Sequence, residues 1–238
     1  MWLSLCVSVA FSQSVDDPKA LADRLIAEMV AAERASQRWT FTMERTEWVD
    51  GALAPTVAMT VHFEKPLSVY AKWTGAEETG QELIYRKGWN EGRLRVNPPG
   101  LVPTLDLDPH GSIAMRGNRH PITEIGFPYL IGRMAADHRL AQQYPSQSSV
   151  EDLGTRTIGG KAARCYRATL PKDIEPRFYA HRAEICVDPN TGLPAEVAVW
   201  DKVGGEVRLV ERFTFRDVRV NPRFDPLTFD PSNPAYSF

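Results

Sequence analysis

The chain has 238 residues, enough for one large β-rich domain or two small ones. Its 28 Lys and Arg against 30 Asp and Glu leave a formal net charge of -2 with no long block of either sign, which excludes an electrostatic patch for nucleic acid or anionic membrane. Hydrophobic residues at 43% suffice for a sizeable core, and 16 Gly with 18 Pro fit a chain of many turns.

The first residues, MWLSLCVSVAFSQS, form a short apolar run ending in the small-residue pattern Ala10-Phe11-Ser12. That is how a secretory signal ends, so residues 1–14 are read as a signal-peptide remnant and 15–238 as one domain, exported to the periplasm or cell envelope. No Lys or Arg precedes Lys19, which suggests that the true start lies upstream. Leu5 is too bulky to precede a lipid-anchored Cys6. No other apolar run approaches the ~20 residues of a membrane span.

Asp17-Pro18 reads as an N-cap with proline in the first turn, and Leu21, Leu25, Met29 and Ala32 recur on one face. This predicts a helix over 18–37 with one side buried. From Trp39 the period changes to two. Trp39, Phe41 and Met43 share a face, then Val57, Met59, Val61 and Phe63 after the Asp50-Gly51 turn, then Leu67, Val69, Ala71 and Trp73. Residues 82–86 and 93–96 read as a hairpin joined through Gly88, Asn90 and Gly92. Strands in order with short links predict an antiparallel meander.

Residues 97–144 interrupt this rhythm with a Pro/Gly-rich loop, three of the five histidines and one helix over 121–143. Ile122, Ile125, Leu130, Met134 and Leu140 give that helix a broad apolar side, while Gly126 and Pro128 threaten to split it in two. Afterwards the strand pattern returns. A hairpin over 157–170 turns at Gly159-Gly160, residues 183–187 lead into 195–200, and Gly204-Gly205 precede a long strand over 207–220 with Phe213 and Phe215 on one face. Cys165 and Cys186 lie nearly symmetrically about the Asp173 to Pro176 turn, so they would oppose one another and form a disulfide. The proline-rich tail is expected to anchor Phe224, Phe229, Tyr236 and Phe238 along a sheet edge.

The turn Val187-Asp188-Pro189-Asn190-Thr191-Gly192-Leu193-Pro194 resembles one common in bacterial outer-membrane lipoprotein carriers, the LolA- and LolB-like half-barrels. More closely, Lys65-Pro66, Gly80-Gln81-Glu82, the stretch from His120 to Gly126 and the ending from Phe229 to Phe238 resemble an uncharacterised family of exported bacterial proteins. The resemblance implies an α+β fold, a curved antiparallel sheet of about 10–11 strands with an N-terminal helix and a central helical lid on the concave side. It also implies a concave apolar groove and carries no established activity.

Asp106, Asp108, His110, His120 and Glu124 cluster in sequence and have ligand chemistry for Zn²⁺ or a harder cation, but their spacing matches no metal motif. Asp108-Pro109-His110-Gly111 is more simply a turn, and His120-Pro121 with Glu124 a helix start. No nucleophile elbow, Walker loop or His-Glu-x-x-His occurs. Two functions follow. The first is a non-enzymatic carrier or binding module, monomeric and without cofactor, for an apolar or lipid-like ligand or a lipoprotein, held by Trp39, Phe41, Val69, Trp73, Ile125, Leu130, Met134, Phe213 and Phe215. The second is an envelope hydrolase built on residues 106–124, and a scaffold with no groove remains a third. An apolar groove under the lid favours the first, and convergence of His110, His120 and two carboxylates favours the second.

Overall fold

The computed structural model describes residues 17–76, 79–171, 173–175 and 177–238, so the expected leader and Cys6 lie outside the described residues. Helix α1 (Pro18–Arg34) starts where Asp17 accepts a hydrogen bond from the Lys19 amide at 3.2 Å, and it buries Leu21, Ala22, Leu25 and Met29. It ends three residues before the expected boundary, because Ser36 and Gln37 turn the chain into the first strand.

That strand, β1 (Arg38–Val49), is followed by β2 (Ala52–Leu53), β3 (Val57–Glu64), β4 (Ser68–Trp73), β5 (Glu82–Arg86), β6 (Leu94–Asn97) and β7 (Leu105–Leu107). After a long crossing come β8 (Ser149–Ile158), β9 (Lys161–Thr169), β10 (Arg182–Val187), β11 (Pro194–Val203) and β12 (Glu206–Val220). All pair antiparallel in a 12-stranded sheet of order β7-β6-β5-β4-β3-β1-β12-β11-β10-β9-β8, with β2 paired to β1. The chain thus draws two meanders that meet at β1 and β12, and the sheet is curved and unclosed. This is the expected α+β half-barrel, with a strand or two more than expected because β2 and β7 are too short to alternate visibly. Bulges bend β12, one of them at Asp217, with φ of 52°, where the register with β1 shifts between Thr40 and Thr42.

Alternation places Trp39, Phe41 and Met43 of β1 on the inner face, in register with Phe63, Val61 and Met59 of β3 and beside Phe215 of β12. The outer face carries two smaller apolar clusters. One surrounds the Cys165–Cys186 disulfide, whose cysteines are register partners on β9 and β10 as expected. The other holds the tail. Phe224, Phe229, Tyr236 and Phe238 do not lie along an edge but pack on Tyr70 and Ile84, with the Tyr70 and Tyr236 rings stacked at 3.9 Å. Tyr70 and Ile84 are outward, apolar positions of central strands, so they require a cover that an edge does not.

The crossing from β7 to β8 passes back over the inner face. It contains a single 3₁₀ turn (Ile122–Glu124) and then helix α2 (Phe127–Ala141), shorter than the expected 121–143. Gly126, with φ of 92°, separates the two, and a Cβ there would stand 2.9 Å from the Phe63 ring. Pro128 breaks nothing, since it sits in the first turn, where its missing N–H costs no bond. The buried stripe is Phe127, Ile131 and Ala135, one position round from the expected Leu130 and Met134. Phe127 is fully buried, with ring centroids 6.0, 5.2 and 4.9 Å from Trp39, Phe41 and Phe215. Replacing Phe127 with alanine should lower the unfolding free energy by about 3–5 kcal/mol in urea titration. A loss under about 1 kcal/mol would mean that the ring is not the anchor.

Candidate functional site

Between the inner face of the sheet and the layer formed by α1, α2 and the 3₁₀ turn lies a cavity of about 800 Å³, toward the upper end of the range for small-molecule sites. Its wall is mostly aliphatic and aromatic. One half of the sheet gives Met43, Met59, Leu83, Leu94 and Val96, the other Ala168, Ile185, Val197 and Val199, and α1 adds Leu25 and Ile26. Of the residues expected to form a groove, Trp73, Ile125, Leu130, Met134, Phe213 and Phe215 line it. Trp39, Phe41 and Val69 do not reach it. Their rings and branches are filled over by Phe127 and its neighbours, so they serve as packed core.

Asp106, Asp108, His110, His120 and Glu124, neighbours in sequence, do not converge on one point, so the hydrolase alternative loses its cluster. Asp106 on β7 is gripped by Arg95 through two bonds of 2.8 Å and by Asn90 at 2.8 Å. Asp108 closes a turn, accepting from the His110 amide at 2.9 Å, and the His110 side chain is exposed. Only His120 and Glu124 meet, at 2.8 Å, and neither caps a helix. Among the described residues no group of three or more His, Cys, Asp or Glu is arranged to hold a metal ion.

A different polar cluster interrupts the apolar wall. Glu47 of β1 and Glu211 of β12 are register partners, 4% and 1% exposed. Two adjacent buried carboxylates would repel strongly, so each has a cation: Arg45 meets Glu47 at 2.7 Å and Arg119 pairs with Glu211. Arg45 also donates to Asn118, and the Arg119 amide lies 3.4 Å from Glu47. His120 places Nε2 3.0 Å from Glu211 and Nδ1 2.8 Å from Glu124. Tyr179, in the connection before β10, donates its hydroxyl to Glu211 at 2.5 Å. Above it Arg133 of α2 lies over the ring at 5.4 Å, and Asp137 accepts from the Tyr179 amide at 3.1 Å. The cluster therefore ties the chain at 118–124 and helix α2 to both central strands.

Both His120 nitrogens face carboxylates, to which a doubly protonated ring donates, and the Tyr179 hydroxyl also lies 2.8 Å from Nε2. Burial opposes the charged ring, but the hydrogen bond and charge of Glu211, then Glu124 and Glu47, outweigh it and raise the His120 pKa. Burial likewise pushes Glu211 up, and the same His120 contact, with Tyr179 and Arg119, reverses this and holds the carboxyl below its ordinary value. Burial, then Glu211, raises the Tyr179 hydroxyl, which stays protonated, and burial with the Glu124 hydrogen bond pushes Tyr129 up to about 12. With His120 charged, Glu47, Glu124 and Glu211 are balanced by Arg45, Arg119 and His120.

Sequence patterning missed this cluster although one signal was present: Arg45, Glu47 and Glu211 occupy inward positions of strands whose other inward residues are Trp39, Phe41, Met43, Phe213 and Phe215. Charge carried on an apolar face marks either a partner from afar or a site.

Residues 36–238 match the family described as Protein of unknown function (DUF1571). The chain belongs to that family. The uncharacterised family expected from the sequence motifs is thereby found, and among curated proteins nothing matches. Among solved structures this DUF1571 chain is similar to lipoprotein LppX of Mycobacterium tuberculosis, at 14% identity over 86% of this chain and 98% of that one, with a TM-score of 0.50. It is also similar to LprF of Mycobacterium bovis, at 13% identity, 88% and 97% coverage and a TM-score of 0.49, and to a LolA superfamily protein of Nitrosomonas europaea, at 11%, 87%, 96% and 0.35. At such identities the likeness is one of fold, and the match to LppX bears out the half-barrel.

The two titrations in the cluster have opposite signs. His120, raised above its ordinary 6.5, contributes stability that is complete below that pH and is lost as pH rises through its folded-state value. Glu211, held below 4.5, contributes stability that is complete above 4.5 and is lost as pH falls through its folded-state value. Thermal melts should show Tm falling as pH climbs above 6.5, and His120→Gln should flatten that fall. An unchanged slope in the variant would assign the titration elsewhere.

Proposed function

We propose that this protein is an exported, non-enzymatic carrier or binding module of the bacterial cell envelope that holds an apolar or lipid-like ligand between the sheet and α2. The observation that carries this reading is the cavity itself: about 800 Å³, walled mostly by aliphatic and aromatic side chains, and left unfilled by a chain that packs Phe127 and Trp39 tightly beside it. Interiors normally close such space, and an apolar void this large forfeits contact energy along its whole lining. A ligand restores those contacts. A disulfide between strands fits an oxidising compartment such as the periplasm, in keeping with export. Among the described residues no helix is long and apolar enough to cross a membrane.

The hydrolase reading has less support. A general base needs a nitrogen free to take a proton from a nucleophile or water, and both His120 nitrogens are occupied by Glu124 and Glu211. Asp106 and His110 take no part in the cavity wall. The scaffold reading, which required that no groove exist, meets an open one.

Leu130 and Met134 line the cavity from α2 without belonging to its fully buried stripe. Exchanging both for serine should therefore weaken saturable uptake of a fluorescent fatty-acid probe by about tenfold or more, with only a small drop in melting temperature. Absence of saturable binding by the wild-type protein would end the carrier reading.

A further inference from the structure

Of the large hydrophobic side chains that are exposed among the described residues, Leu101, Val102, Leu105 and Ile113 fall within one short stretch at the β7 edge of the sheet. Leu101 is 103% exposed, as open as in an extended peptide, Ile113 59% and Val102 51%. The tip, Pro98-Pro99-Gly100-Leu101-Val102-Pro103-Thr104, joins β6 to β7 and contains no charged residue. Three prolines fix its backbone angles, so little conformational freedom is lost when it docks. Soluble loops normally present polar side chains at such a tip. A stiff, uncharged, apolar projection marks an interaction surface.

The geometry points to a lipid bilayer as the occupant: the 98–105 loop and Ile113 insert into the headgroup and upper acyl region, and bring the cavity mouth to the membrane surface. Three observations favour lipid over protein. First, the patch is continuous with the cavity, since Pro98, Leu105 and Ile113 stand both at the loop and in the cavity wall. An acyl chain leaving a membrane beside the loop would meet Leu105, Leu107, Val96 and Leu94 on its way in. Second, the patch is small. Four side chains fall well short of the ~800 Å² that each partner of a stable protein pair gives up, whereas shallow insertion of a few aliphatic residues suits weak, reversible membrane contact. Third, Arg116, exposed and on the cavity wall, follows Ile113 by one turn, its amide 3.3 Å from the Ile113 carbonyl. It is placed to meet lipid phosphate while Ile113 enters the apolar layer.

The inference builds on the carrier reading, and the test separates the two. Full-length protein is floated with vesicles of phosphatidylethanolamine and phosphatidylglycerol. Leu101→Asp combined with Val102→Asp is compared with wild type, and both are assayed with the soluble fatty-acid probe in the absence of vesicles. The expected result is vesicle binding by wild type, a loss of about tenfold or more in the variant, and equal probe binding and melting temperature for both. Equal vesicle binding by variant and wild type, or none by either, overturns the docking proposal whatever the probe shows. Concentration-dependent dimerisation of wild type, abolished in the variant and without vesicle binding, overturns it in favour of self-association. Because the aspartates lie on an exposed tip, retained melting temperature distinguishes lost docking from lost folding.

Discussion

The burial of Phe127 between Trp39, Phe41 and Phe215 is the contact on which the rest of the molecule depends. An unclosed sheet has two free edges and an apolar concave face, and something must cover that face at its middle. Here the chain leaves one edge at β7, crosses the face and rejoins at β8, and Phe127 pins the crossing over the seam where the two meanders meet. Gly126 makes the approach possible, because any side chain there would strike Phe63. On one side of this pin the space is filled with core. On the other, along Met43, Phe213 and the strands beyond, it stays open as the cavity.

The polar cluster holds the same crossing by a second, different force. Burying Glu47 and Glu211 side by side has a large desolvation cost, and an apolar pair of equal volume would serve stability as well or better. What apolar residues would not do is fix Arg119, His120 and Tyr179 at defined positions. Their directional bonds set where the chain before α2 lies and how the helix is approached by Tyr179. A non-specific apolar wall beside an open cavity could slide; a charge-balanced cluster cannot without leaving a buried charge bare.

The sequence made much of this legible, and the reasons for the failures are physical. Alternation over Trp39, Phe41 and Met43 and over Met59, Val61 and Phe63 reports inward faces directly, because one side of each strand is core and the other is not. The pairing of Cys165 with Cys186 follows from hairpin symmetry. The lid register slipped because Ile122 and Ile125 belong to a separate turn, so counting from them rotated the stripe away from Phe127. The cluster of charges escaped because its members are far apart: His120 meets Glu211 across 91 positions and Arg119 across 92. Grouping by nearness in sequence gathered Asp106, Asp108 and His110 instead, which the fold leaves on strand β7 and in the turn after it, away from His120.

The central claim is that the cavity is a ligand site and not a packing defect. Native mass spectrometry of the protein purified from the envelope of its own host, before and after extraction with organic solvent, tests it most directly. The account predicts a population carrying additional mass that solvent removes, with an acyl-chain lipid recovered in the extract and the unloaded protein able to take up fatty-acid probe. A single apo mass before extraction, together with no lipid in the extract, would contradict it.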